Sequence, residues 1–98
     1  MIAPEERAGG ECSFSLGQVV ATANAARTLT QSDMLTALSR HANGDWGLVD
    51  NDDWVANERA LVEGTRLLSV YESEQGVRFW IITEADRSAT TVLLPEVY

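Results

Sequence analysis

His41 is the only histidine in the chain and Cys12 the only cysteine. A histidine acts as a general base when a nucleophile and an orienting carboxylate stand beside it. Cys12 lies in a glycine-containing N-terminal stretch with no signal that folds it over the segment carrying His41. His41 falls at the edge of an apolar helix face, which reads as a boundary residue whose ring nitrogens are satisfied by neighbours. A lone cysteine permits neither an intramolecular disulfide nor a two-cysteine metal site. Acidic groups are more abundant. Asp45, Asp50, Asp52 and Asp53 fall within nine residues. A calcium loop wants alternating oxygen ligands, a central glycine and a glutamate at its twelfth place. Counting from Asp45, that place is Ala56 and Gly47 comes too early. The cluster therefore reads as helix caps and an acidic face.

Glu84, Asp86 and Arg87 crowd a second polar segment. Paired carboxylates hydrolyse bonds when a cleft separates their pKa values, and an exposed turn supplies no such desolvation. Recognition suits the group better, because the planar fork of Arg87 can hold a carboxylate or a pair of backbone carbonyls. Trp46 sits in Gly44-Asp45-Trp46-Gly47, as an interface anchor or as a plug closing the open end of a helical pair. Asp45, Trp46, Asp50, Asp52, Asp53, Glu84, Asp86 and Arg87 are thus the candidate partner-binding residues. No catalytic, metal-binding or cofactor-binding set emerges.

These residues must be held by the following elements. Phe14, Leu16 and Val19–Ala21 suggest a short strand, followed by a helical turn through Ala23–Leu29. Thr30 or Ser32 can cap a longer helix whose Met34, Leu35, Leu38 and Ala42 share one face. Asn43-Gly44-Asp45 stops it. The run Asp50–Asp53 suits the start of a second helix, with Trp54, Val55, Leu61 and Val62 as its apolar face and Gly64 as its C-cap. Glu58 falls on that face, where an unpaired carboxylate is costly, and Arg66 is its expected partner. Beyond Gly64 the period changes from helical to alternating. Leu67–Tyr71, Val77–Thr83 and Ala89–Leu94 read as strands, joined by turns at 73–76 and 84–87 and ended by Pro95. Val77, Phe79 and Ile81 face one way and Trp80 and Ile82 the other, which marks a central strand or a face that meets a partner. The expectation is an α+β domain over residues 14–98, with two main helices packed on a three- to four-stranded antiparallel sheet, behind a flexible tail at 1–13.

Ninety-eight residues fit one domain. Fifteen acidic residues face seven arginines and no lysine, a formal charge of -8. That balance argues against direct binding to nucleic acid or to an anionic membrane and suits a basic protein partner. It also serves plain solubility. Nothing resembles a signal peptide or a membrane span, so a cytoplasmic location is expected.

The later part of the chain resembles a family of small bacterial proteins carried by plasmids, prophages and other mobile elements. Its members go by "plasmid-related protein" and "type I restriction endonuclease subunit M". The likeness spans roughly residues 17–98. It rests on Gly44-Asp45-Trp46-Gly47, Asn57 with Ala60-Leu61 and Gly64, Arg66 with Ser69 and Tyr71, and the run from Trp80 to Pro95, together with Tyr98. It implies a mobile-element context rather than an activity. A methyltransferase domain is excluded, because the chain is too short and has neither a glycine-rich cofactor loop nor an Asn/Asp-Pro-Pro-Tyr tetrapeptide. The functional expectation is a non-catalytic, acidic protein-binding module, an inhibitor of a host CRISPR or restriction complex. The alternative is a homodimeric accessory domain pairing through its sheet edge or second apolar face.

Overall fold

The computed structural model describes residues 14–95. The expected tail at 1–13, with Cys12, and the terminal residues 96–98 lie outside them. Seven elements follow in chain order: β1 (Gln18–Ala21), α1 (Ala23–Thr28), α2 (Gln31–Ala42), α3 (Asn51–Glu63), β2 (Leu67–Glu72), β3 (Arg78–Thr83) and β4 (Ala89–Leu93). This is the expected α+β architecture.

Local chemistry sets the helix ends. Thr30, rather than Ser32, caps α2: its hydroxyl accepts from the Asp33 N–H while the Asp33 carboxylate accepts from the Thr30 N–H. Asp50 caps α3 by accepting from the Asp53 N–H at 2.8 Å. Gly64 ends α3 in the left-handed region at φ 76°.

The strands form one sheet in the order β1-β4-β3-β2. The expected meander is present, with β2–β3 and β3–β4 antiparallel and β3 central. The sheet as a whole is mixed, because β1 runs parallel to β4. A parallel pair needs a long crossover, and all three helices and the hairpin lie between these strands. Alternation within a strand carries no record of its direction, so the expected all-antiparallel sheet is corrected here.

Two clusters make the core. Helices α1 and α2 close over one face of the sheet, packing Ala25, Leu29 and Ala37 on Tyr71, Phe79, Ile81 and Val92. Each fully buried Ile or Phe side chain contributes about 1.5–3 kcal/mol. Beside them, Trp46, Ala60 and Leu67 form a second cluster with Phe14, Val49, Trp54 and Leu61. Both helical faces are rotated from their expected positions. In α2, Leu35 is 58% exposed, while Ala37 and His41 turn inward. In α3, Val55 and Val62 are exposed, and Asn57 and Ala60 are buried instead. Counting large apolar residues misplaced these faces because small and polar residues occupy their centres.

The outer edge of β2 is closed by groups that imitate a neighbouring strand. The Asn57 amide donates to the Leu68 carbonyl at 2.7 Å and accepts from the Leu68 N–H at 3.1 Å. Two residues on, the Val70 N–H donates to the Trp46 carbonyl and the Val70 carbonyl accepts from the Leu48 N–H. An edge so covered cannot template another chain.

Candidate functional site

The loop between α2 and α3 brings the first predicted residues together, mostly to bind one another. The guanidinium of Arg40 donates to both Asp45 oxygens, at 2.8 and 3.3 Å, and lies 4.8 Å from the centre of the Tyr71 ring. The Asp45 carboxylate also accepts from the Gly47 N–H, and its backbone carbonyl accepts from the Tyr71 hydroxyl at 2.6 Å. Hydrogen bonding from Arg40 holds the Asp45 carboxyl below its ordinary pKa. Burial pushes the Tyr71 phenol up to about 12. Asp45 therefore fixes this loop, and its carboxylate is already answered by a cation.

Trp46 is fully buried. Its ring stacks with Phe14 at 6.1 Å and meets His41 edge-on at 5.5 Å. Its indole N–H donates to Glu58 Oε2 at 2.8 Å. Of the two readings of Trp46, the plug holds and the interface anchor is corrected: this side chain fills the space between α2, α3 and β2. Glu58 is corrected with it, since among the described residues it serves Trp46 and no ion pair joins it to Arg66.

Asp50, Asp52 and Asp53 lie at the N-terminus of α3, where negative charge complements the helix dipole. All three are exposed. The Glu84-Asp86-Arg87 turn lies at the opposite end of that helix. Arg87 Nη2 donates to the Ala60 carbonyl at 3.0 Å and Nη1 to the Thr65 carbonyl at 2.6 Å, so its fork holds the last turn of α3 and the residue after its C-cap. Those contacts fasten Arg87 despite its positive φ of 61°. The Asp86 carboxylate accepts from the Ser88 N–H, and its hydrogen bonds with Ser88 lower its pKa. Glu84 remains exposed. A helix of thirteen residues spans about 20 Å, so the candidate acids form two separate groups rather than one site.

Two constellations escaped sequence reasoning. The first centres on His41, whose ring nitrogens are both satisfied as expected but which is completely buried rather than at a boundary. Its Nδ1 lies 2.6 Å from Ser69 Oγ and its Nε2 lies 2.8 Å from Thr83 Oγ1. Thr83 Oγ1 lies 2.8 Å from Thr90 Oγ1, and the Thr90 hydroxyl donates to the Leu16 carbonyl at 2.7 Å. A carbonyl can only accept, which orders every proton in the chain. Thr90 donates to Leu16, Thr83 to Thr90, His41 Nε2–H to Thr83, and Ser69 to His41 Nδ1. For the neutral imidazole this order selects the Nε2–H tautomer. Burial, and then the charge of Arg87, lower its pKa to about 4. A serine hydrogen-bonded to a histidine has the outline of a nucleophile and base, but both are sealed from solvent, and every hydroxyl proton is committed within the chain. The members come from α2 and from β2, β3 and β4, 28 and 42 residues from His41 in the first two contacts. No local spacing links them.

The second is a groove between α2 and the β2–β3 hairpin, bordered by Ser32, Asp33, Thr36, Arg40, Glu72 and Glu74. The walls of Tyr71 and Phe79 underlie it. Asp33 joins its two sides by accepting from the Glu74 N–H at 3.4 Å. The hydrogen bond from the Thr30 backbone contributes most to lowering the Asp33 pKa. Arg40, the cation of this groove, is already held by Asp45. The hydrophobic periodicity of α2 left its acidic flank out of account, and the hairpin acids acquire meaning only when folded beside it.

Among the described residues no group of His, Cys, Asp and Glu is placed to hold a metal ion. No described helix is long and apolar enough to cross a membrane. Comparison with protein-family models, with curated proteins and with solved structures finds no match.

Proposed function

We propose that the chain is a non-catalytic, acidic protein-binding module of a mobile genetic element, acting in the cytoplasm as an inhibitor of a host CRISPR or restriction complex. The reading rests on one observation: carboxylates face outward while two of the arginines that would offset them are engaged within the fold. Arg40 is bound to Asp45 and Arg87 to the carbonyls of Ala60 and Thr65. Asp52, Asp53, Glu72 and Glu74 stay exposed, in a chain of net charge -8. Such a surface attracts a basic channel of the kind that binds nucleic acid. The buried state of His41 and Ser69 supports a role without covalent chemistry.

The mobile-element setting comes from the family resemblance, and the class of target from analogy with other short acidic proteins that such elements carry. The test is capture of purified CRISPR effector and restriction complexes on the immobilised chain at about 0.05 M and about 0.5 M salt, since screening shortens the reach of exposed charges. The proposal expects capture of a complex at low salt, loss of it at high salt, and competition by duplex DNA. Glu72→Gln with Glu74→Gln, or Asp52→Asn with Asp53→Asn, should weaken that capture. Capture indifferent to salt, or none from either class of complex, rejects it.

A further inference from the structure

The two edges of the sheet are finished differently. On β2, the outward groups of Leu68 and Val70 are answered by Asn57 and by the 46–48 segment. On β1, the N–H groups of Gln18 and Thr22 point inward, to the carbonyls of Ser88 and Val92. Backbone groups alternate sides along a strand, so those of Val19 and Ala21 point away from β4. Among the described residues nothing bonds to them. Edge strands ordinarily escape pairing through charge, proline, a bulge or a cover. Gln18-Val19-Val20-Ala21 carries neither charge nor proline and is exposed throughout, with Val19 at 44% and Val20 at 41%.

We propose that β1 is a self-association edge, through which two copies of this chain pair their β1 strands antiparallel about a two-fold axis and join two four-stranded sheets into one. Geometry selects a second copy as the occupant. The net charge of -8 opposes association of copies, and the uncharged β1 is the strand on which two copies can meet without setting acid against acid. Its outward groups are self-complementary. Placing Val19 opposite Ala21 of the second copy, and the reverse, makes two hydrogen-bonded pairs, about four bonds in all. Val20, whose backbone groups turn toward β4, then meets Val20 of the second copy on the axis, as a non-hydrogen-bonded pair with Cα atoms about 4.5 Å apart. This isologous arrangement closes after two copies and leaves the groove beside α2 outside the interface.

The geometry makes Val20 a site for cross-linking, because that Cα separation lies within the range a disulfide spans. In a Cys12→Ser background, Val20→Cys should oxidise to a covalent species of twice 10.7 kDa. Val62→Cys on α3 is the control, more accessible at 87% exposure and remote from β1. It should remain a single chain under the same oxidant. With the parental chain, sedimentation should show a dimer, and amide exchange should be slow at Val19 and Ala21. Val20→Lys should release the monomer while the melting transition persists. A parental chain that stays monomeric at its highest soluble concentration overturns the proposal. So does Val62→Cys cross-linking as readily as Val20→Cys, or a dimer in which the Val19 and Ala21 amides exchange freely.

Discussion

The indole N–H of Trp46 donates to Glu58 Oε2 across 2.8 Å, linking the loop after α2 to the middle of α3. Trp46 is fully buried, so its donor needs an acceptor, and the long Glu58 side chain brings one from the boundary of the helix. Replacing Glu58 with alanine strands that N–H and should cost about 1–3 kcal/mol of unfolding free energy. Glu58→Gln keeps an oxygen in place and should cost clearly less. Urea denaturation of both variants, followed by tryptophan fluorescence, measures the difference. Equal losses would mean that the acceptor at this position is immaterial.

Acid should weaken the fold through His41 before it reaches most carboxylates. In the unfolded chain the imidazole takes up its proton near 6.5, but in the fold only near 4. Between those values the unfolded state binds more protons, so stability is fully present above about pH 6.5 and declines as pH falls toward 4. The magnitude is on the order of 3 kcal/mol. The lowered pKa values of Asp33, Asp45 and Asp86 act in the same direction but at lower pH. His41→Gln should flatten the pH dependence of unfolding between 6.5 and 4, whatever its effect at neutral pH. An imidazole NMR titration giving an ordinary midpoint would contradict this account.

Asn57 should matter more than its size suggests. Asn57→Ala leaves the Leu68 N–H and carbonyl without their partner and should destabilise by about 2–3 kcal/mol. Asn57→Asp retains an acceptor for the Leu68 N–H but sets a second oxygen against its carbonyl, so it should not restore stability. The Leu68 amide, protected in the parent, should exchange faster in both variants.

Gly47 and Gly64 share nearly the same backbone conformation, at φ 75° and 76°, yet should respond differently to alanine. A methyl group at Gly64 meets no atom within 4 Å, so the cost is that of the left-handed conformation alone, about 1–2 kcal/mol. At Gly47 the same methyl would collide with the Val70 carbonyl oxygen and the Tyr71 ring, on the strip that closes the edge of β2. Thermal denaturation should therefore show a much larger loss for Gly47→Ala than for Gly64→Ala.

The elements themselves were legible because their signals are local. The Asp50 cap, the Gly64 stop and the change of period beyond it place α3 and the meander correctly, since each depends on residues within one turn of the chain. The centre of β3 was legible too, from apolar residues on both of its faces. The fork of Arg87 suits a pair of carbonyls, but the ones it holds, of Ala60 and Thr65, belong to this chain rather than to a partner, and no local pattern names them.

What the order of residues determined by itself, then, is the caps, the periods and the balance of charge, properties set by neighbours along the chain. Tertiary structure alone decided the direction of β1, the sealing of Trp46 and the linking of His41 to Ser69 and Thr83. Each of these depends on groups brought together from distant parts of the chain. Burial then gives their hydrogen bonds a weight that no local pattern records, because a polar group removed from water must find its partner wherever the fold supplies one.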